Sequence, residues 1–249
     1  MKSTLIFTTL VFAFYININA QTEGSIVYSE TFKLDLQIEG MDDSMKEMIP
    51  QSQTVKRELF FGNNQSVFKT QKGEGVDDVD ISSDDGSFEI VIMIDDAVDN
   101  ILYKNMKEKA IIHQKGIMGK PFLVIDDLKR IKWKITPEKV KYLGYECQKA
   151  VLETNDVFVI AWFTSQIPVQ VGPSDYHGLP GAILMVNVND GEVEFKATKV
   201  DLRTLDEDML QAPKKGKEIT EEEYQSIQKE KESEMTQMHG RRERKEIRN

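Results

Sequence analysis

Between residues 25 and 39 apolar and polar positions alternate, with Ile26, Tyr28, Phe32, Leu34, Leu36 and Ile38 on one face and Ser29, Thr31, Lys33, Asp35, Gln37 and Glu39 on the other. A period of two specifies a half-buried strand, because successive side chains of an extended chain point to opposite sides. Strand-like runs recur at 55–61, 66–71, 88–94, 109–115, 122–125, 145–153, 157–164, 182–188 and 192–200. Turn residues separate several of them, at Gly62-Asn63-Asn64, Asp85-Gly86, Thr154-Asn155-Asp156 and Asn189-Asp190-Gly191. These are the residues that accept the backbone angles of tight hairpins. The pattern predicts a mainly β protein built on a single curved antiparallel meander sheet, half-barrel-like.

Two segments depart from simple alternation. Residues 157–163 are apolar on both faces, which predicts a central strand covered on both sides, either by the sheet folding over itself or by a short helix near 44–49. In that short segment Ser44 and Glu47 have capping-box spacing, and Met45, Met48 and Ile49 share a face. The C-terminal part, 216–249, holds 17 charged residues and predicts a solvated helix. Thr220 and Glu223 form its capping-box pair, Ile219 and Tyr224 its staple, and Gly240 stands where a C-cap is expected, leaving 241–249 as a disordered basic tail. Its apolar stripe (Tyr224, Ile227, Met235, Met238) is thin.

The first twenty residues carry Lys2, an apolar run over 5–18 and Ala20, the order of a secretory signal peptide. The run is shorter than the roughly twenty residues that cross a bilayer, and no second run of that length follows. The expected layout is a signal peptide at 1–20, a β-rich domain at 21–203 and a charged helical extension at 204–249, exported to the periplasm or secreted after cleavage near Ala20. No transmembrane segment is expected in the mature chain. The single Cys147 gives no lipid-attachment site after the leader and no internal disulfide. At 249 residues, with 32 Lys plus Arg against 42 Asp plus Glu, the net charge of −10 argues against a nucleic-acid partner. That charge is local. Ten acids and no Lys or Arg lie between Glu74 and Asp99, and the rest of the chain balances.

Six short motifs follow in order between Trp133 and Leu184: W-x-I-T at Trp133, G-Y-x-C-Q-K-A at 144–150, A-W-F-T at 161–164, I-P-V at 167–169, G-P at Gly172, and G-L-P-G-A-I at 178–183. This run resembles the GLPGLI family of exported bacterial proteins, with Ala182 standing where the family name has Leu. The resemblance implies an exported, β-rich domain and hands over no catalytic residues. It marks the region from Trp162 to Gly181. Residues 167–181 contain three of the seven Pro and three of the fifteen Gly, so the backbone is largely preset. Pro180-Gly181 suits the centre of a type II turn. The segment reads either as a rigid connection between core strands or as a preorganised ledge presenting Tyr176, His177 and Leu179. The candidate binding residues are Trp162, Pro173, Tyr176, His177, Gly178, Leu179, Pro180 and Gly181.

Catalytic chemistry is sparse. His113, His177 and His239 are isolated in sequence. A thiol–imidazole pair from Cys147 and His177 is conceivable, but a strand position favours a buried, unreactive thiol. Asp175 and His177 lack a third ligand for a metal, so no metal and no cofactor are expected. Asp78, Asp80, Ser82, Asp84 and Glu89 fall on calcium-loop positions, yet Ser83 replaces the required Gly, and a solvated hairpin is the better reading. The leading expectation is a non-enzymatic binding or scaffold protein of the bacterial cell envelope that engages an outer-membrane or envelope protein, or an apolar ligand, through the curved sheet or the GLPGAI loop. The alternative is an envelope hydrolase or peptidase with a site near Cys147, Asp175 and His177. A third reading has the acidic stretch and the C-terminal helix mediating assembly with an outer-membrane partner.

Overall fold

A computed structural model describes residues 22–34, 50–71, 79–82, 89–92, 99–154 and 157–246. The expected signal peptide, the short helix at 44–49 and most of the acidic stretch lie outside these residues. The strands in chain order are β1 (Gly24–Lys33), β2 (Ser52–Gly62), β3 (Gln65–Thr70), β4 (Val79–Ser82), β5 (Glu89–Ile92), β6 (Ile101–Asn105), β7 (Ala110–Ile117), β8 (Lys120–Asp127), β9 (Lys134–Tyr142), β10 (Tyr145–Glu153), β11 (Phe158–Thr164), β12 (Ala182–Val188), β13 (Val193–Leu202) and β14 (Lys217–Ile219). They are followed by the helix α1 (Glu221–Glu246).

Twelve of the strands make one open sheet in the order β14-β8-β7-β6-β3-β2-β1-β13-β12-β11-β10-β9, and β4 with β5 forms a separate two-stranded ribbon. The main sheet is two meanders joined where β13 pairs with β1. All its pairings are antiparallel except that of β14 with β8. The ribbon pairs Ser82 with Glu89, as expected for a hairpin and not for a helix-flanked calcium loop. Asn63 and Asn64 both adopt left-handed angles between β2 and β3, the two-residue turn that their identities predicted.

Strand spacing and chain length together force the sheet to curl. β8 and β9 are ten strand spacings apart, about 48 Å if the sheet were flat. Yet only residues 128–133 connect them, a reach of about 24 Å at full extension. The two edges are therefore drawn toward each other, and the inner surface becomes a concave core. Tyr28, Leu59, Phe61, Phe68 and Leu102 face Cys147, Val159, Ala161, Phe163, Val186 and Phe195 across it. On the outer side, Phe60, Val67 and Tyr103 are covered by Leu205 and Leu210; Phe122 and Val124, on the same face as Leu102, pack with Ile219 and Tyr224 beyond the plug. Thus the residues immediately after β13 pack onto the body.

Three expectations need correction. β11 is covered on one face only, where Val159, Ala161 and Phe163 are buried, while Ile160 and Trp162 are half-buried and Phe158 is 38% exposed. Apolar side chains on both faces did not mean two covers, since the curl encloses only the inner face. β9 and β6 had no strand signal, because β9 carries Pro137 and four charged residues and β6 is only five residues long. An edge strand tolerates Pro, and β9 pairs with β10 alone, with a register shift opposite Pro137. Lastly, α1 does not stop at Gly240 but continues to Glu246, so no disordered tail begins at residue 241. One Gly costs a helix only about 1 kcal/mol relative to Ala, and the Arg, Glu and Lys residues beyond it are good helix formers.

The start of α1 is as the sequence specified. Thr220 Oγ1 accepts from the Glu223 N–H at 3.2 Å, and Glu223 Oε2 accepts from the Thr220 N–H at 2.8 Å. Replacing Thr220 with Ala should remove about 1 kcal/mol of local stability. Amide exchange in the first turn of α1 should then accelerate about fivefold, measured by hydrogen–deuterium exchange.

Candidate functional site

The loop between β11 and β12, residues 165–181, folds back into the concave core. Ile167, Val171 and Leu179 are at most 4% exposed and belong to the main core. Burying a loop obliges its backbone to find partners, and this one does so internally. Pro168 and Pro180 each centre a one-residue turn, in which the N–H of Val169 donates to Ile167 O and that of Gly181 to Leu179 O, both at 2.8 Å. The N–H groups of Gly178, Ala182 and Ile183 donate to Gln170 O, Ile167 O and Val171 O at 3.2, 3.0 and 2.9 Å. The expected type II turn at Pro180-Gly181 is therefore absent. Gly181 has no positive φ, and its need for glycine is steric, since a Cβ there would collide with the Thr164 carbonyl.

Side chains distant in sequence hold this plug and the start of β12 that follows it. Tyr28 Oη donates to Ile183 O at 2.6 Å, and Trp133 Nε1 donates to His177 O at 2.8 Å. A chain of rings runs Trp133, Tyr176, Phe195, Phe68, Tyr28, tilted at the first contact and edge-to-face at the rest, with centroids 6.1 to 6.3 Å apart. Lys104 of β6 is fully buried, and its ammonium donates to Gly172 O at 3.3 Å and to Ser174 O. Burial pulls its pKa down to about 8, against the favourable charge of Asp175.

Beside the plug lies a cleft of about 360 Å³, with Ile111, His113 and Lys115 of β7, Val124, Asp126 and Asp127 of β8, the start of the connecting segment, Asp175 and His177 of the plug, and Glu221 of α1. Lys115 pairs with Glu221 at 3.0 Å and stands 4.1 Å over the Tyr224 ring. Lys129 pairs with Asp126 at 3.4 Å. Both imidazoles are biased toward the neutral form. Burial, helped by the nearby Lys115, holds His113 down to about 4, and its Nε2 lies 2.8 Å from Asn100 Oδ1. Burial also lowers His177, whose Nδ1 donates to the Asp175 carbonyl at 2.7 Å. A second hollow of about 510 Å³ shares Leu128, Ile131 and His177 with this cleft, and its charged lining is Lys109 and Arg130. A third, about 470 Å³, shares Met106 and Gln170 with the second and ends at the turn between β2 and β3. The three make one open groove along the plug.

Of the residues singled out from sequence, Asp175, Tyr176 and His177 come together at the plug's tip. Pro173, Leu179 and Gly181 are buried in the plug, while Gly178 and Pro180 are exposed. Trp162 stands apart on the half-covered face of β11. Cys147 is buried in the main core and does not line the cleft. Burial pushes its thiol up to about 11, the opposite of an activated nucleophile. Among the described residues no three His, Cys, Asp or Glu side chains are placed to hold a metal. Lys104 and Tyr28 carry no functional motif in the sequence, and His113 is isolated there. Lys104 had a usable signal, since in Ile-Leu-Tyr-Lys-Asn it falls on the same face as Leu102.

A family model described as "Protein of unknown function (Porph_ging)" matches residues 152–185, from the end of β10 through the plug into β12. No curated protein matches the chain. Among solved structures, PNGF-II in its P21 crystal form is 18% identical with a TM-score of 0.52, over 83% of this chain and 33% of that one. The C2 form gives 17% identity and 0.52, over 82% and 32%. At such identities the likeness is one of fold, and this chain spans about a third of the length of those chains.

Gly181→Ala should lower stability by about 2 kcal/mol or more, because the backbone of Thr164 has no room to yield, as read by urea denaturation. The lowered pKa of Lys104 also makes a signed prediction. Between pH 8 and 10.5 the unfolded chain binds this proton and the folded chain does not, so Lys104 makes stability rise with pH, by up to about 1.4 kcal/mol per pH unit. Lys104→Met should abolish that rise relative to the parent chain in denaturation curves taken across this window.

Proposed function

We propose that this protein is an exported, non-enzymatic binding module of the bacterial cell envelope, of the GLPGLI type, that engages a protein partner along the groove beside the plug. One observation carries the choice of a protein over an apolar ligand. The concave face that would receive an apolar ligand is occupied by Ile167, Val171 and Leu179 of the chain's own loop. The groove is open, and charged or amide side chains line much of it, with Gln170 and Gly178 exposed along it. A preset loop at its wall loses little entropy on binding. The apolar run and small residues before Gln21 support export. The likeness to about a third of a longer chain supports a modular role. A hydrolase site built on Cys147 draws no support from a buried thiol whose pKa is raised.

A photo-crosslinking residue placed at exposed Gln170, with a control at exposed Lys199, tests this in the host bacterium. The expected result is a mature chain beginning near Gln21 in the envelope or medium, and a crosslink to one protein from position 170 but not from 199. Retention in the cytoplasm, co-purification of a stoichiometric acyl lipid, or equal labelling from both positions would overturn the reading.

A further inference from the structure

The segment that joins β8 to β9 is also the most basic stretch of the body. Lys129, Arg130, Lys132 and Lys134 supply four cations within six positions, with no acid among them. All four are exposed, and among the described residues only Lys129 has an ion pair. Lys109, also exposed, joins Arg130 at the rim of the second hollow. Because Trp133 of the same segment is anchored to the His177 carbonyl and to the Tyr176 ring, these cations sit on a fixed backbone. The chain contains a matching counterpart, the stretch 74–99 with ten acids and no base, while its remainder is balanced. The sheet register places their points of attachment at opposite ends of β6. The acidic stretch rejoins the sheet at Ile101, whereas Asp127 lies beside Ala110, which lies beside Asn105 at the other end of β6.

We propose that the basic segment 129–134, together with Lys109, is a docking surface for the acidic stretch of a second copy. Donor and acceptor are different patches, so the contact is head-to-tail and joins copies in series. Exposed charges make such a contact salt-sensitive, because screening acts over about 8 Å at physiological ionic strength. This interface goes beyond the partner groove proposed above, and a negative result here leaves the crosslink at Gln170 standing.

Two variants test it by sedimentation velocity. One reverses the basic surface (Lys109→Glu, Arg130→Glu, Lys132→Glu), and the other neutralises the acids (Asp77→Asn, Asp78→Asn, Asp80→Asn, Asp84→Asn, Asp85→Asn). Circular dichroism and melting curves confirm that each folds. The parent chain should self-associate at about 20 mM salt and do so at least tenfold more weakly at about 500 mM. Each variant alone should be monomeric, and an equimolar mixture should give a heterodimer that grows no further, since one intact acidic stretch meets one intact basic surface. A parent chain that stays monomeric at about 100 µM in low salt, a basic-surface variant that associates like the parent, or a mixture without heterodimer would each overturn the proposal. The first outcome is also what docking within a single copy would give.

Discussion

Six residues between Asp127 and Lys134 govern the molecule. They connect strands that lie ten spacings apart in the sheet order, and no flat or gently twisted sheet satisfies that distance. Closing the edges toward each other creates an inner surface lined by Tyr28, Leu59, Phe68 and Phe195, too apolar to be left to water. Something must fill it. The segment between β11 and β12 does so, and its sequence carries the marks of that task. Pro at 168 and 180 turns the chain within a single residue, glycine at 172 and 181 permits contact with the neighbouring backbone, and large apolar residues at 167, 171 and 179 occupy the space. The connecting segment then holds the plug in return, through the Trp133 indole on the His177 carbonyl.

Lys104 shows how the polar cost of this solution is met. A buried loop brings carbonyl groups inward, and those of Gly172 and Ser174 are not taken by the plug's own ladder. An ammonium has three donors on a flexible stem and can reach two such carbonyls at once. The cost is desolvation of a charge, visible in a pKa drawn down to about 8. Even so, that value leaves the group mostly protonated at neutral pH. The charge of Asp175 thus offsets part of what burial takes away, and the two carbonyls replace water as hydrogen-bond acceptors.

Local patterning made much of the fold legible. The strands at 145–153 and 182–188 begin and end where alternation and turn residues place them, and the Asn63-Asn64 turn follows from residue type alone. What alternation cannot say is which of two faces will be covered. For β11 both faces are apolar, and only the curl, set by a connection thirty residues earlier, decides that Val159 is inside and Phe158 is not. The same limit applies to the candidate site. Asp175, Tyr176 and His177 are neighbours in sequence and were visible as a group. Their partners Lys104, Trp133 and Phe195 come from β6, the connecting segment and β13, and no short-range rule links them. The helix end was misplaced for a different reason, since Gly240 is a weak stop when strong helix formers follow it.

The electrostatics of the groove follow from the same geometry. His113 and His177 stand where the plug and the sheet exclude water, so both favour the neutral form, and neither is a reserve of positive charge at neutral pH. The acids of the cleft are therefore countered by Lys115 and Lys129 within it and by the buried Lys104 near Asp175, and Asp127 and Asp175 have no ion pair among the described residues. A few residues away Lys109 and Arg130 rim the next hollow without an acid in its lining. The groove thus changes sign along its length, with Leu128 and Ile131 as the common apolar wall. Such a surface distinguishes partners by the order of their charges and not by net charge, which suits an extended protein segment better than a uniform anion or a lipid tail.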